Sequence, residues 1–294
     1  MSTPTTATFT SGGQPVTVHA IQTGTITIKR SHHTCRLPER TPLPIRVLAI
    51  LADRRFSAPM PIWTFAIEHP QGLVLIDAGA TPSYNNDESW AQDPRGGRLI
   101  RSFIKIDVKR DQALPVQLNA LGLDPMKVDH VVLTHQHIDH TASLPAFANA
   151  MLWTTKAEDD AAEHIGAFAW RWRTAETETR YVDTDPETNT RSSADPGPGL
   201  DIFADGSLRA FHAPGHTPGS ITVRFRTDTT EMWFTGDISF TADHMKPTAP
   251  TAGIHTDMNA VRRLQTTLAS KNLILPSHDW TNADRLKRRS ETHN

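Results

Sequence analysis

A chain of 294 residues with 37% hydrophobic and 21% charged residues has apolar material for a sizeable core, which excludes a disordered polymer. A net charge of −2 and a pI near 6.7 argue against nucleic acid or an anionic membrane surface as the main partner. The single cysteine, Cys35, rules out an intramolecular disulfide, the opening MSTPTTATFTSGGQPV lacks the basic start and apolar run of a secretory signal, and no stretch approaches a membrane span, so the expected location is the cytoplasm.

In chain order, residues 1–15 are rich in Thr, Ser, Gly and Pro and read as a flexible tail. The run VTVHAIQTGTITIKR alternates apolar and polar residues on both sides of Thr23-Gly24, as a hairpin or a bent strand would. Residues 31–60 are rich in Pro and Arg and contain IRVLAIL, without a definite conformation. PIWTFAIEH and GLVLIDAG flank Pro70-Gln71 as a second hairpin, with Asp77 at its exit. Residues 81–111 read as an irregular polar insert, DQALPVQLNALGL as a helix ending near Gly122, and VDHVVLTH as a buried strand. TASLPAFANA and TKAEDDAAEHIGAFAWRW look helical, and residues 182–200 form a loop by composition. SLRAFHA, SITVRFR and EMWFTG are strands, a helix from about Asp257 to Leu268 is capped by Thr256 or Asp257, LILPSH is a last strand, and a basic tail closes the chain. Strands thus fall in two blocks, each followed by helices. Two packed sheets with helices on both outer faces, in one domain spanning residues 1–294, satisfy that order.

The chemistry concentrates after VDHVVLT, in His135-Gln136-His137-Ile138-Asp139-His140. Divalent ions such as Zn²⁺ favour imidazole nitrogens and carboxylate oxygens. A turn at a strand end can aim His135 and His137 at one ion and Asp139 and His140 at a second. Two shells need more ligands, and three candidates follow later strands: His216 in HAPGHTPGS, Asp237 after EMWFTG, and His278 after LILPS. Each alone would read as a turn former or a surface residue; together, in the same topological position, they read as ligands. His19, His69 and His255 stand alone and read as surface or satisfied core residues, and His32-His33 as a polar pair beside Cys35.

LTHQHIDH, HAPGHTPGS, FTGD and LPSHD, with LIDAG upstream, resemble the sequence motifs of the metallo-β-lactamase superfamily over residues 16–280. The resemblance implies an αββα four-layer sandwich holding two divalent metal ions, most simply Zn²⁺. By motif, His135, His137 and His216 would hold one ion, Asp139, His140 and His278 the other, and Asp237 would bridge them together with a hydroxide. Asp77 would orient the site.

Aspartate at 237 departs from true β-lactamases, whose pattern has Cys or Ser there. Glyoxalase II-like thioesterases carry the same ligands but begin the cluster much nearer the N-terminus, and a non-catalytic metal-binding scaffold would be expected to have lost ligands. PIWTFAIEHPQGLVLIDAGA, and GIHTDMNAVRRL followed by LPSHD, resemble N-acyl-homoserine lactonases. In that family residues 31–59 would shape an acyl pocket and a homodimer contact. The implied reaction is opening of a lactone ring by the bridging hydroxide, with Asp139 passing the nucleophile's proton to the leaving oxygen. Phe240 stands where many such lactonases have a tyrosine. Met60, Trp63 and Phe240 are pocket candidates, whereas Phe168, Trp170 and Trp172 read as helix core rather than as a lid.

Overall fold

The computed structural model describes residues 3–86, 97–164, 177–185, 187–188 and 195–291. Its strands are β1 (Thr5–Ser11), β2 (Gln14–Ile28), β3 (Met60–His69), β4 (Gly72–Ile76), β5 (Ile104–Asp107), β6 (His130–Val132), β7 (Met151–Thr154), β8 (Thr179–Tyr181), β9 (Gly199–Asp201), β10 (Leu208–His212), β11 (Ile221–Arg226), β12 (Glu231–Phe234) and β13 (Leu273–Leu275). The helices are α1 (Arg30–His33), α2 (Leu43–Ala52), α3 (Ser83–Asn86), α4 (Gly97–Phe103), α5 (Leu114–Ala120), α6 (Ile138–Thr141), α7 (Lys156–His164), α8 (Met258–Ala269) and α9 (Asn282–Glu291).

Among the described residues two sheets form. The first has eight strands in the order β1-β2-β3-β4-β6-β7-β8, with β5 paired to β2; the second has five in the order β13-β12-β11-β10-β9. They pack face to face. Val18, Phe65 and Val132 from the first meet Val223, Phe234 and Leu275 from the second in one core, and the rings of Phe65 and Phe234 lie 4.8 Å apart. On the outer face of the first sheet, Leu114 and Leu118 of α5 cover Leu75 and Val131. Beyond the second, Leu264 and Leu268 of α8 cover Phe211 and Trp233. The result is the helix–sheet–sheet–helix order expected from the residues. No helix among the described residues is long and apolar enough to cross a membrane.

Within the stretch expected to be a flexible tail, Thr5–Ser11 form strand β1. Ala7 and Phe9 of β1 share one face and are 3% and 6% exposed, while the intervening threonines suit a pleated strand. Gly12 and Gly13, at φ +57° and +74°, turn the chain into β2, with positive φ at both central positions of the tight hairpin. Beyond them, β2 is one bent strand. Its pairing with β3 shifts between Gln22 and Thr25, and beyond that bulge it also pairs with β5.

Residues 81–111 are more regular than their polarity suggests, since α3, α4 and β5 lie there and Phe103 and Ile104 join a cluster with Ile26, Ile28 and Ile50. β7 and β8 emerge where no strand is expected, and β9 begins inside the expected 182–200 loop. The basic C-terminal stretch is helix α9, held to β1 and β13 by a fully buried Leu286. One leucine buried this way contributes roughly 1.5 to 3 kcal/mol. The helix expected from Asp257 is α8, whose Asp257 carboxylate accepts the Ala260 N–H at 2.9 Å. The helical segment after Thr155 is described as α7 to His164. Phe168, Trp170 and Trp172 lie outside the described residues.

Candidate metal centre

All seven ligand candidates gather at one end of the sandwich, beyond the strands that carry them. β6 runs parallel between β4 and β7, so its chain leaves the sheet centrally, and His135, His137, Asp139 and His140 follow within one loop and the single turn of α6. The loop after β10 brings His216, the turn after β12 brings Asp237, and the turn after β13 brings His278. Ile221 N donates to Thr134 O at 2.6 Å, fastening the second sheet to the loop of the first beside the cluster. The buried Glu158 carboxylate ties two ligand loops together by accepting Gln136 N–H at 2.9 Å and Gly219 N–H at 3.1 Å. Gly236 precedes Asp237 at φ +53°, where a Cβ would lie 2.7 Å from the Thr134 side chain. No larger residue fits there without moving that wall.

The seven side chains divide into two donor groups, one of His135, His137, His216 and Asp237 and one of Asp139, His140 and His278. In the first, His137 Nδ1 lies 2.9 Å from His135 Nε2 and 3.1 Å from His216 Nε2. These two separations are close to the spacing of about 3.3 Å set by a tetrahedral zinc with nitrogens at about 2.05 Å. In the second, Asp139 Oδ2 lies 3.4 Å from His278 Nε2 and 3.5 Å from His140 Nε2. Asp237 faces both groups. Its Oδ1 is 3.2 Å from His278 Nε2 and 3.4 Å from His140 Nε2, and its Oδ2 is 3.7 Å from both His135 and His216 Nε2.

Asp139 Oδ2, His140 Nε2 and Asp237 Oδ1 are buried without a hydrogen bond of proper geometry, although they face one another. Orphaned buried atoms are costly, and three aimed at one point fit a cation that would satisfy them together. The donor set fits as well, since imidazole and carboxylate suit zinc-like ions.

The electrostatics differ between the two halves. Burial and neighbouring imidazoles push the His135 and His216 pKa values well below the ordinary histidine range, leaving neutral rings with free lone pairs. Burial would also lower His140, but Asp77, Asp139 and Asp237 hold it well above that range. His278 is likewise raised against burial by Asp237 and Asp139. Burial opposes ionisation of Asp237, yet His278 and His140 hold its carboxyl well below the usual carboxylate range. This half of the site attracts positive charge.

Each ring is aimed from behind. Asp77, with φ +62°, accepts Thr134 N–H at 2.7 Å and Thr134 Oγ1–H at 2.9 Å and lies 2.8 Å from His140 Nδ1. His278 Nδ1 donates to Pro61 O at 2.8 Å. His216 Nδ1 lies 3.0 Å from the Nδ1 of His255, a fully buried ring that reaches Thr251 Oγ1 through Nε2 at 3.4 Å. His255 is a satisfied core residue, as expected, but its contact with His216 is a supporting role that nothing in GIHTDMN signals. Nor does anything in TKAEDD signal the role of Glu158. His19, with Thr6 Oγ1 and Glu68 Oε1 on its two nitrogens, and His69, stacked on Phe203 at 4.4 Å, are satisfied away from the site.

A cavity of about 240 Å³ opens against the cluster. His137, Asp139, His216, Asp237 and His278 line one end, and Ile26, Leu43, Val47, Phe103 and Ile254 are among the apolar residues of the other. Met60 and Phe240 line it. Trp63 does not. Its indole belongs to the core between the sheets and donates to Asp279 O at 2.8 Å, because residues on alternate sides of β3 face opposite ways.

A family model described as metallo-beta-lactamase superfamily matches residues 58–278. An N-acyl homoserine lactonase, AttM, of Azorhizobium caulinodans is 29% identical over 231 residues, covering 76% of this chain and 83% of that protein. An N-acyl homoserine lactonase of a Bacillus species is 22% identical over 224 residues, covering 75% and 82%. Among solved structures, an N-acyl homoserine lactone hydrolase with the product N-hexanoyl-L-homoserine at its catalytic metal centre superposes with a TM-score of 0.68 at 18% identity, covering 91% of this chain and 94% of that one. The dizinc quorum-quenching lactonase AidC superposes at 0.62 with 15% identity, covering 96% and 93%.

Proposed function

Since this chain belongs to the metallo-β-lactamase superfamily, we propose that it is a dinuclear-metal hydrolase that opens the lactone ring of N-acyl-homoserine lactones. The observation that carries this reading is the cavity, where two donor groups converge at one end of a space whose other described lining residues, His32 apart, are apolar. Its volume of about 240 Å³ is slightly below the roughly 300 Å³ lower bound of common ligand pockets, which suits a small head with an apolar tail. The lactonase names of the relatives support the substrate class.

His135, His137 and His216 would hold one zinc ion, Asp139, His140 and His278 the second, and Asp237 would contact both. When bound, such ions acidify water and polarise a carbonyl oxygen. The chain's own residues supply the rest. Asp139 accepts the proton of the attacking water at Oδ2 and returns it to the ring oxygen as the ester bond breaks. Asp77, Pro61 O and His255 keep His140, His278 and His216 in fixed orientation. Phe240 and Met60 keep bulk water from the reacting carbonyl. The single free cysteine has no part in this chemistry, and a reducing cytoplasm suits it.

A hydrolysis panel of acyl-homoserine lactones, simple lactones, thioesters and phosphoesters, run with and without chelator, tests the reading. Lactones should be turned over fastest, with loss on chelation. Preference for thioesters would make it a glyoxalase II-like enzyme instead, and no turnover by metal-replete protein would leave a binding scaffold.

A further inference from the structure

His32 lies outside every motif that builds the metal centre, yet it lines the same cavity. Apart from the five ligand candidates, the other described residues of that lining are apolar. The imidazole is 7% exposed and wedged between two aromatic edges, with centroids 6.1 Å from Phe103 and 5.7 Å from Phe240. Its Nδ1 is buried without a partner. The backbone around it is fixed, since His32 N donates to Lys29 O at 2.9 Å and Gly253 N donates to His32 O at 2.7 Å. Burial pushes its pKa down to about 4, so at neutral pH one ring nitrogen carries hydrogen and the other a lone pair. The orphaned Nδ1 is shielded, so the other ring nitrogen, Nε2, which has no hydrogen-bond partner among the described residues, is the one left to meet a ligand in the cavity.

Position selects the partner. Phe240 stands 5.3 Å from the His278 ring and 5.7 Å from His32, so successive ring contacts link the ligand cluster through Phe240 to His32 and on to Phe103. On the lactonase reading, on which this rests, the reacting carbonyl must sit at the cluster. The acyl tail then runs toward Phe103, and the amide linking head to tail falls between them. We propose that the His32 ring hydrogen-bonds the amide group of the bound acyl-homoserine lactone and so selects substrates carrying an acylamino group.

The test compares the metal-loaded parent with His32→Phe and His32→Gln on N-hexanoyl-homoserine lactone and on an alkyl γ-lactone of similar tail length that lacks the amide. One neutral hydrogen bond corresponds to a change of about three- to tenfold. His32→Phe should lower kcat/KM for the acyl-homoserine lactone by about that factor and leave the alkyl lactone within about twofold. It should weaken calorimetric binding of the ring-opened product N-hexanoyl-homoserine in parallel. Its melting temperature should equal or exceed the parent's, because a buried unsatisfied ring is removed. His32→Gln, which keeps an N–H donor, should recover part of the discrimination. An unchanged ratio between the two lactones, or a lower melting temperature with both substrates affected equally, would show that His32 is structural and overturn the proposal. If the parent hydrolyses neither lactone, the functional reading fails first and takes this proposal with it.

Discussion

Asp237 presents one carboxylate oxygen to each donor group, so its loss should affect both metals where loss of a single histidine affects one. Elemental analysis of metal-supplemented protein should approach two ions per chain and fall well below one in Asp237→Ala. Two retained ions in that variant would remove the bridging role. Asp139 differs, because asparagine preserves its shape while abolishing the proton acceptor at Oδ2. Asp139→Asn should lose about 10²- to 10⁴-fold in kcat with a melting temperature near the parent's. Parental turnover would exclude the shuttle. These residues were readable from sequence because each follows a short apolar strand and carries a metal-binding group. His255, Glu158 and His32 were not, because their roles arise from contacts between distant segments: His216 with His255, Gly219 with Glu158, Phe240 with His32. Phe240 lines the cavity and is also 4% exposed, so burial and site membership are not alternatives at this position.

Strands β2, β3, β4, β6, β10, β11 and β12 announce themselves through alternation or apolar runs, and so does α8 through its cap and periodicity. Elements that escaped notice are short or disguised. β7 and β8 have four and three residues, β1 hides its two core contacts among threonines, and α9 is so charged that only Ala283 and Leu286 betray its buried side. Residues 31–59 gave no definite conformation, since prolines and arginines separate α1 from α2. Helix α2 has two uses. Leu43 and Val47 face the cavity, while Ile45 and Leu48 on another side are 52% and 66% exposed. We propose that this outer face, with the exposed Leu37 nearby in the chain, carries a homodimer contact. Leu48→Glu should convert a dimer to monomer in sedimentation velocity while leaving the metal content unchanged. A monomeric parent, or a variant that remains dimeric, would remove the contact.

Across the whole chain, one apolar core draws side chains from both sheets and extends from Ala7 near the start to Leu286 near the end. We propose that the chain unfolds as one domain, with calorimetric and van't Hoff enthalpies in agreement near neutral pH. Its acid limb should be set by buried imidazoles. Burial pushes His32 and His244 down to about 4 and His255 to about 3. In the unfolded chain each would titrate near 6.5. Between those values the unfolded chain binds protons that the folded one refuses, so the contribution of these three rings is full above about 6.5 and declines as pH falls toward about 4. Lowered carboxyls such as Asp205 and Asp279 lose their contribution only below the ordinary carboxylate pKa, so they do not govern this window. In the metal-free chain His140 and His278, raised by carboxylates, lose theirs above 6.5, on the other side of it. His244 serves as the probe because it is not among the ligand candidates and its Nδ1 has no hydrogen-bond partner; burial dominates its shift, with His33, whose ring is 5.0 Å away, Arg262, Asp243 and Asp279 acting on it as well. Replacing it with glutamine removes one refused proton, so the drop in melting temperature from about pH 7 to about pH 5 should be smaller in His244→Gln than in the parent. Parallel curves for the two proteins would mean that His244 titrates alike in the folded and unfolded chains.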